Sequence, residues 1–263
     1  MTSGVHLGFI FVVYSRPMSK LPKITVAFWI MKICATTLGE TAGDLLSMTL
    51  NVGYAVSSLI LISIFLATLL GQLYSKTYRP FLYWAVILST STAGTTMSDY
   101  MDRTLGLGYT KGSFILLCIL GTIFFFWRRS GNSLAVDQVQ NRKVELLYWT
   151  AILFSNTLGT ALGDFLADDS GLGFAGGALV IGGLLAVVLA LYYLTELSRV
   201  LLFWVAFVLT RPFGATIGDV LTKSADKGGL NLGTVYSSEI LAAVLIGTIL
   251  YTSTRNTRRA LQS

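Results

Sequence analysis

Eight apolar stretches follow one another along this chain, at residues 24–45, 53–75, 81–100, 111–127, 145–166, 175–194, 201–221 and 233–252, separated by short polar breaks. Each has about the 20 residues that roughly 30 Å of hydrocarbon demands of a helix. Only helices and closed barrels satisfy every backbone group there. The stretches are of two kinds. The first, third, fifth and seventh carry hydroxyls, carboxylates and glycines, whereas the second, fourth, sixth and eighth are almost wholly aliphatic and aromatic. This pattern predicts an all-α, polytopic membrane bundle of eight transmembrane helices, with the odd helices inside, where their polar groups are buried, and the even helices outside.

The odd stretches share a triplet: a tryptophan, ten residues on a glycine, and five further on an aspartate. The copies are Trp29, Gly39, Asp44; Trp84, Gly94, Asp99; Trp149, Gly159, Asp164; and Trp204, Gly214, Asp219. The tryptophans are 55, 65 and 55 residues apart, so the chain reads as four tandem helical hairpins in two pseudo-symmetric halves. The expected division is an N-terminal segment 1–23, a first half 24–131, a linker 132–144, a second half 145–252 and a tail 253–263. Every hairpin has two spans, so all four insert the same way and their symmetry axes lie along the membrane normal. After each aspartate comes a turn rich in glycine and asparagine, ending at Gly53, Gly108, Gly173 and Gly233, with five extra residues in the fourth copy.

Composition agrees with a membrane protein: 54% of the 263 residues are hydrophobic and 12% charged, against about 25% charged in soluble domains. The formal charge of +6 is explained by topology, not by nucleic acid. Arg16, Lys20, Lys23, Lys76, Arg79, Arg128, Arg129, Arg142, Lys143, Arg199, Arg255, Arg258 and Arg259 fall on the side holding both termini; Arg103, Lys111, Lys223 and Lys227 fall on the other. By the positive-inside rule both termini are cytoplasmic. Cys34 and Cys118 lie inside spans and read as small buried hydrophobes. The apolar stretch 5–14 is half a membrane thick and lacks signal-peptide features; Met18 reads as a natural start, with the first 17 residues an upstream mis-start.

With the tryptophan as position zero, positions 4, 7, 8, 11 and 15 share one helix face. Position 7 holds Thr36, Ser91, Asn156 and Arg211; position 8 holds Thr37, Thr92, Thr157 and Pro212; position 11 holds Glu40, Thr95, Thr160 and Ala215; position 15 is always aspartate. Small residues four apart, such as Gly39 with Gly43 and Gly214 with Gly218, let the odd helices approach closely. Asp44, Asp99, Asp164 and Asp219 are thereby drawn toward one axis, with Glu40 below them. Glu40, Asp44, Asp99, Asp164 and Asp219 face only two bases within the spans, Lys32 and Arg211, read as internal counter-ions or gating groups. Carboxylates so close require protons or a metal ion. The available donors are carboxylates, hydroxyls (Thr37, Thr92, Thr157) and the Asn156 amide, a hard set suited to Mn²⁺, Mg²⁺ or Ca²⁺. The four tryptophans read as interface anchors, and His6 as an incidental surface residue.

Segments such as Tyr148-Trp149 and Asn156-Thr157-Leu158-Gly159-Thr160-Ala161-Leu162-Gly163-Asp164 resemble a family of bacterial membrane proteins built from four tandem copies of a two-span repeat of unknown function, with one tryptophan in each. The resemblance implies the inner membrane and supplies no functional residues. The expected activity is export of a hard divalent cation, Mn²⁺ foremost, with proton exchange at the carboxylate ring. No cofactor and no nucleic acid is expected, lipid surrounds the chain, and a homo-oligomer is left open. A channel and a non-transporting scaffold are the alternatives. An intramembrane aspartyl protease is disfavoured because four equivalent aspartates give no preferred pair.

Overall fold

The computed structural model describes residues 20–139, 141–225 and 228–260. Within them the chain forms eight α-helices and no strand: α1 Val26–Asp44, α2 Tyr54–Tyr74, α3 Pro80–Asp99, α4 Tyr109–Arg129, α5 Arg142–Asp164, α6 Gly173–Leu194, α7 Arg199–Thr222 and α8 Thr234–Ala260. Local chemistry fixes the starts. The side chains of Thr25, Asn141 and Ser198 accept the amides of Phe28, Val144 and Leu201, and Pro80 opens α3 where its missing N–H costs nothing. The stretch 5–14, His6 and Asp226 lie outside the described residues.

Past the aspartate, α1, α3 and α5 each widen into a single π turn, Leu45–Thr49, Tyr100–Thr104 and Phe165–Asp169. The following reversals use left-handed backbone at Asn51 and Gly53, at Gly106 and Gly108, and at Gly171 and Gly173, conformations that glycine and asparagine adopt most readily. In the fourth repeat α7 runs on to Thr222 as α-helix, and the chain turns back through Asn231 and Gly233.

Helices α1, α3, α5 and α7 close a ring, each packed on the two beside it. The outer helices do not cover their own hairpin partners. Instead α2 packs on α3, α4 on α5, α6 on α7, and α8 returns to α1, so each hairpin is clamped by the next and the last closes on the first. The repeated glycine permits the contact. A Cβ on Gly39 would stand 2.1 Å from Ser91 Oγ, one on Gly94 2.9 Å from the Thr157 amide, one on Gly159 2.2 Å from Arg211 Cγ, and one on Gly214 2.2 Å from Thr36 Oγ1. In every copy, position 10 receives position 7 or 8 of the following repeat.

Helices α2, α4, α6, α7 and α8 are long and apolar enough to cross a membrane. The three that are not, α1, α3 and α5, are those that turn their hydroxyls and carboxylates inward, where Thr36, Thr90, Thr95, Asn156 and Thr160 are fully buried. The apolar faces of the outer helices are bare: Leu59, Phe114, Phe125, Leu179, Val187 and Leu250 are all about half exposed or more.

Candidate functional site

The ring of odd helices is filled in layers. At the tryptophan end, Trp84, Trp149 and Trp204 are buried with Trp127 of α4, and only Trp29 is partly exposed. This corrects the reading of all four as interface anchors. The residue before each tryptophan is also aromatic, Phe28, Tyr83, Tyr148 and Phe203, and these rings meet the indoles mostly edge to face at centroid separations of 5.1 to 5.4 Å within each pair. The Tyr83 and Tyr148 hydroxyls lie 2.9 Å apart, and the linker folds beneath the bundle so that the Leu134 carbonyl accepts from Trp204 Nε1 at 2.9 Å. Packing across four repeats and the linker makes this a core.

One turn up, position 3 holds Lys32, Ile87, Ile152 and Phe207. The Lys32 ammonium is fully buried, makes no hydrogen bond and sits 4.2 Å from the centre of the Phe207 ring. It touches none of the acids.

Above it is a hub built from all four inner helices. Arg211 of α7 reaches the axis and donates to Glu40 Oε2 of α1 at 3.0 Å, to Thr95 Oγ1 of α3 at 2.5 Å and to Thr160 Oγ1 of α5 at 2.6 Å. Both threonine hydroxyls lie within 3.4 Å of the same Glu40 oxygen. Arg211 and Glu40 are buried, and the Thr95 and Thr160 hydroxyls share the pair with Arg211 Nη2, while Arg211 Nε is buried without a hydrogen-bond partner.

Next come the four aspartates, in two pairs. Lys223 Nζ lies 2.6 Å from Asp44 Oδ2 and 3.2 Å from Asp219 Oδ1. Arg103 Nε lies 3.0 Å from Asp99 Oδ1, and its Nη2 lies 3.2 Å from Asp164 Oδ2. Burial opposes the charge of each base, but the flanking carboxylates outweigh it and hold both pKa values above the ordinary range. The bases stand four residues past Asp219 and Asp99, one from each half. Met48, Arg103, Asp168 and Lys223 share position 19, and all four line a cavity of about 280 Å³ above the acids.

Sequence reasoning placed Arg103 and Lys223 on the outer side as topology markers and missed that they pair with the aspartates. The i, i+4 spacing was the available signal. The described acids in the cluster, Glu40, Asp44, Asp99, Asp164 and Asp219, are therefore touched by three bases, Arg103, Arg211 and Lys223. Two formal negative charges remain uncompensated. Other expected site residues are not brought together. Thr37, Thr92 and Thr157 spend their hydroxyls on their own helix backbones, and Asn156 donates to Thr90 Oγ1 at 2.9 Å.

The two aspartate pairs differ in one further respect. Glu40, Asp44 and Asp219 each place a carboxylate oxygen within 4.8 Å of the others. No third acid joins Asp99 and Asp164 in such a group among the described residues. Gly218 makes room for this: a Cβ there would stand 3.0 Å from Glu40 Cβ.

Four clamped hairpins around a buried ionic hub define a cyclic tandem-repeat helical bundle. The chain belongs to the family described as Repeat of Unknown Function (DUF347), which matches it in four segments, residues 27–78, 82–133, 147–198 and 202–257. Neither a curated protein nor a solved structure matches the chain.

Proposed function

We propose that this protein is a multi-pass cell-membrane carrier, with both termini cytoplasmic, that exports a hard divalent cation, Mn²⁺ foremost, in exchange for protons. The observation that carries the reading is the cluster of Glu40, Asp44 and Asp219, an all-oxygen triad inside a five-carboxylate group that its three bases leave two charges short of neutrality. Such a group holds either protons or a cation, and carboxylates without sulfur or imidazole suit Mn²⁺ and Mg²⁺. The bare apolar faces of the outer helices support insertion in lipid, where a large exposed apolar surface is stable.

In this scheme Lys223 is a tethered cation. It stands between Asp44 and Asp219, where the arriving ion is to sit, and its flexible stem at the end of α7 lets it withdraw into the cavity above. Glu40 joins the ion from below while Thr95 and Thr160 keep Arg211 hydrogen-bonded. Arg211 fills the axis beneath the acids, and the aromatic layer fills the tryptophan end. An axis so blocked supports a carrier over an open channel. The base lodged between the aspartates of each pair weighs against a protease dyad, whose two carboxylates share a proton.

The test is Mn²⁺ uptake into proteoliposomes with and without a pH gradient. Transport that rises with the gradient and falls in Asp44→Asn supports the proposal; uptake indifferent to the gradient removes proton exchange, and no uptake of Mn²⁺, Mg²⁺ or Ca²⁺ removes the carrier.

A further inference from the structure

The outer helices do not seal the ring evenly. Helix α2 reaches past α3 to α5, and α8 reaches past α1 to α3. At the equivalent place between α6 and α1 a groove of about 820 Å³ is left open, floored by α7. It is lined by apolar side chains such as Ile30, Ile33, Leu185, Val188 and Phe203. Arg199 lies at one end, exposed, with its guanidinium against the Tyr192 ring and carbonyl.

Two features select the occupant. Along α7 the groove runs from Arg199 to Thr210, a rise of about 16 Å, which is close to one leaflet of a roughly 30 Å hydrocarbon core. The charged end lies at the tryptophan side, which carries the basic excess and which the positive-inside rule makes cytoplasmic. The leaflet on that side is the anionic one. A groove one leaflet deep, apolar along its length and cationic at its headgroup end matches an acyl chain bearing an anionic headgroup.

We infer that this groove is a binding site for an anionic phospholipid, with an acyl chain between α1, α6 and α7 and the phosphate at Arg199. The inference rests on the membrane placement proposed above and is independent of the cation chemistry. Trp29 lines the groove and is partly exposed, while Trp84, Trp127, Trp149 and Trp204 are buried, so Trp29 is a built-in reporter.

The experiment is tryptophan fluorescence in nanodiscs containing equal fractions of phosphatidylglycerol and phosphatidylcholine, with one or the other brominated on its acyl chains. Brominated phosphatidylglycerol is expected to quench with a preference of about fivefold over brominated phosphatidylcholine, the contribution of one basic residue beside an anionic headgroup. Arg199→Gln should bring the ratio to one, and Trp29→Phe should remove the preferential component. A ratio of one in the unaltered protein overturns the inference. So does quenching that emerges only after deletion of residues 1–17, because the groove is then filled by the chain's own apolar stretch 5–14. Failure to enter the nanodiscs at all sinks the membrane placement itself, and the inference with it.

Discussion

The two aspartate pairs occupy equivalent places in the repeat and are bridged by different bases. Asp99 and Asp164 are joined by Arg103, whose planar guanidinium offers separate nitrogens to the two carboxylates. Asp44 and Asp219 share the single ammonium of Lys223 and have Glu40 within reach. Arginine holds both partners in a fixed fork, whereas lysine is a point charge on a flexible stem. In the proposed carrier the Arg103 junction is the reinforced one and the Lys223 junction the exchangeable one, and the residues that set them apart include Arg103 against Lys223, Ser98 against Gly218, and Glu40 against Thr160.

The largest effect follows from the shared hub. Arg211 has Glu40 as its carboxylate partner and is fully buried, so Glu40→Gln or Arg211→Met strands a buried charge and should cost about 3–5 kcal/mol of stability. The double variant should cost less than the two together, read as thermal unfolding in detergent. Additive losses would mean that the ion pair is not the unit holding the hub. A smaller loss, about 1–3 kcal/mol for overpacking, is expected of Gly218→Ala, which pushes Glu40 away from the exchangeable junction. Gly163→Ala, whose Cβ would meet Ala215 Cβ at 3.3 Å, should be milder and leave cation binding unchanged.

Exchanging the bridging bases tests the comparison directly. Lys223→Met removes the internal competitor and should tighten Mn²⁺ binding about tenfold, equivalent to about 1.4 kcal/mol, seen by calorimetry. Arg103→Met should give no such gain and should lower stability instead. Equal gains would erase the distinction between the junctions. The mildest expectation concerns Asp102, which packs over Gly112, accepts from Ser98 Oγ at 3.2 Å and belongs only to the Arg103 junction. Burial pushes its carboxyl up to about 6. Its protonated form is therefore favoured in the folded state, so its contribution to stability is complete below about pH 4, the usual aspartate value, and lost as pH rises through 6. Thermal unfolding followed across that window should lose part of its pH dependence in Asp102→Asn.

Much of this was legible because duplication wrote it four times. The alternation of polar-striped and uniformly apolar stretches separated inner from outer helices, and the glycine at position 10 marked the closest helix contacts. Three things were not legible. Trp84 and Trp149 carry the signature of interface residues, and only the linker's return beneath the bundle and the aromatics at position −1 make them core. Arg103 and Lys223 lie past the apolar runs, so a span-by-span charge count excluded them. The π turn after Asp99 and the capped end of α7 bring them back. The third is the choice of hydroxyls: the sequence singles out those at position 8, yet Thr95 and Thr160 at position 11 are the ones that reach the hub, because a hydroxyl on a helix can satisfy itself on its own backbone, as Thr37, Thr92 and Thr157 do.

The most direct measurement is Mn²⁺ binding by the purified protein, titrated in parallel for two sets of variants: Glu40→Gln, Asp44→Asn and Asp219→Asn against Asp99→Asn and Asp164→Asn. If the exchangeable junction is the cation site, each member of the first set weakens binding by about tenfold or more and each member of the second leaves it nearly unchanged. Equal losses in both sets, or no Mn²⁺ binding by the unaltered protein, would contradict it.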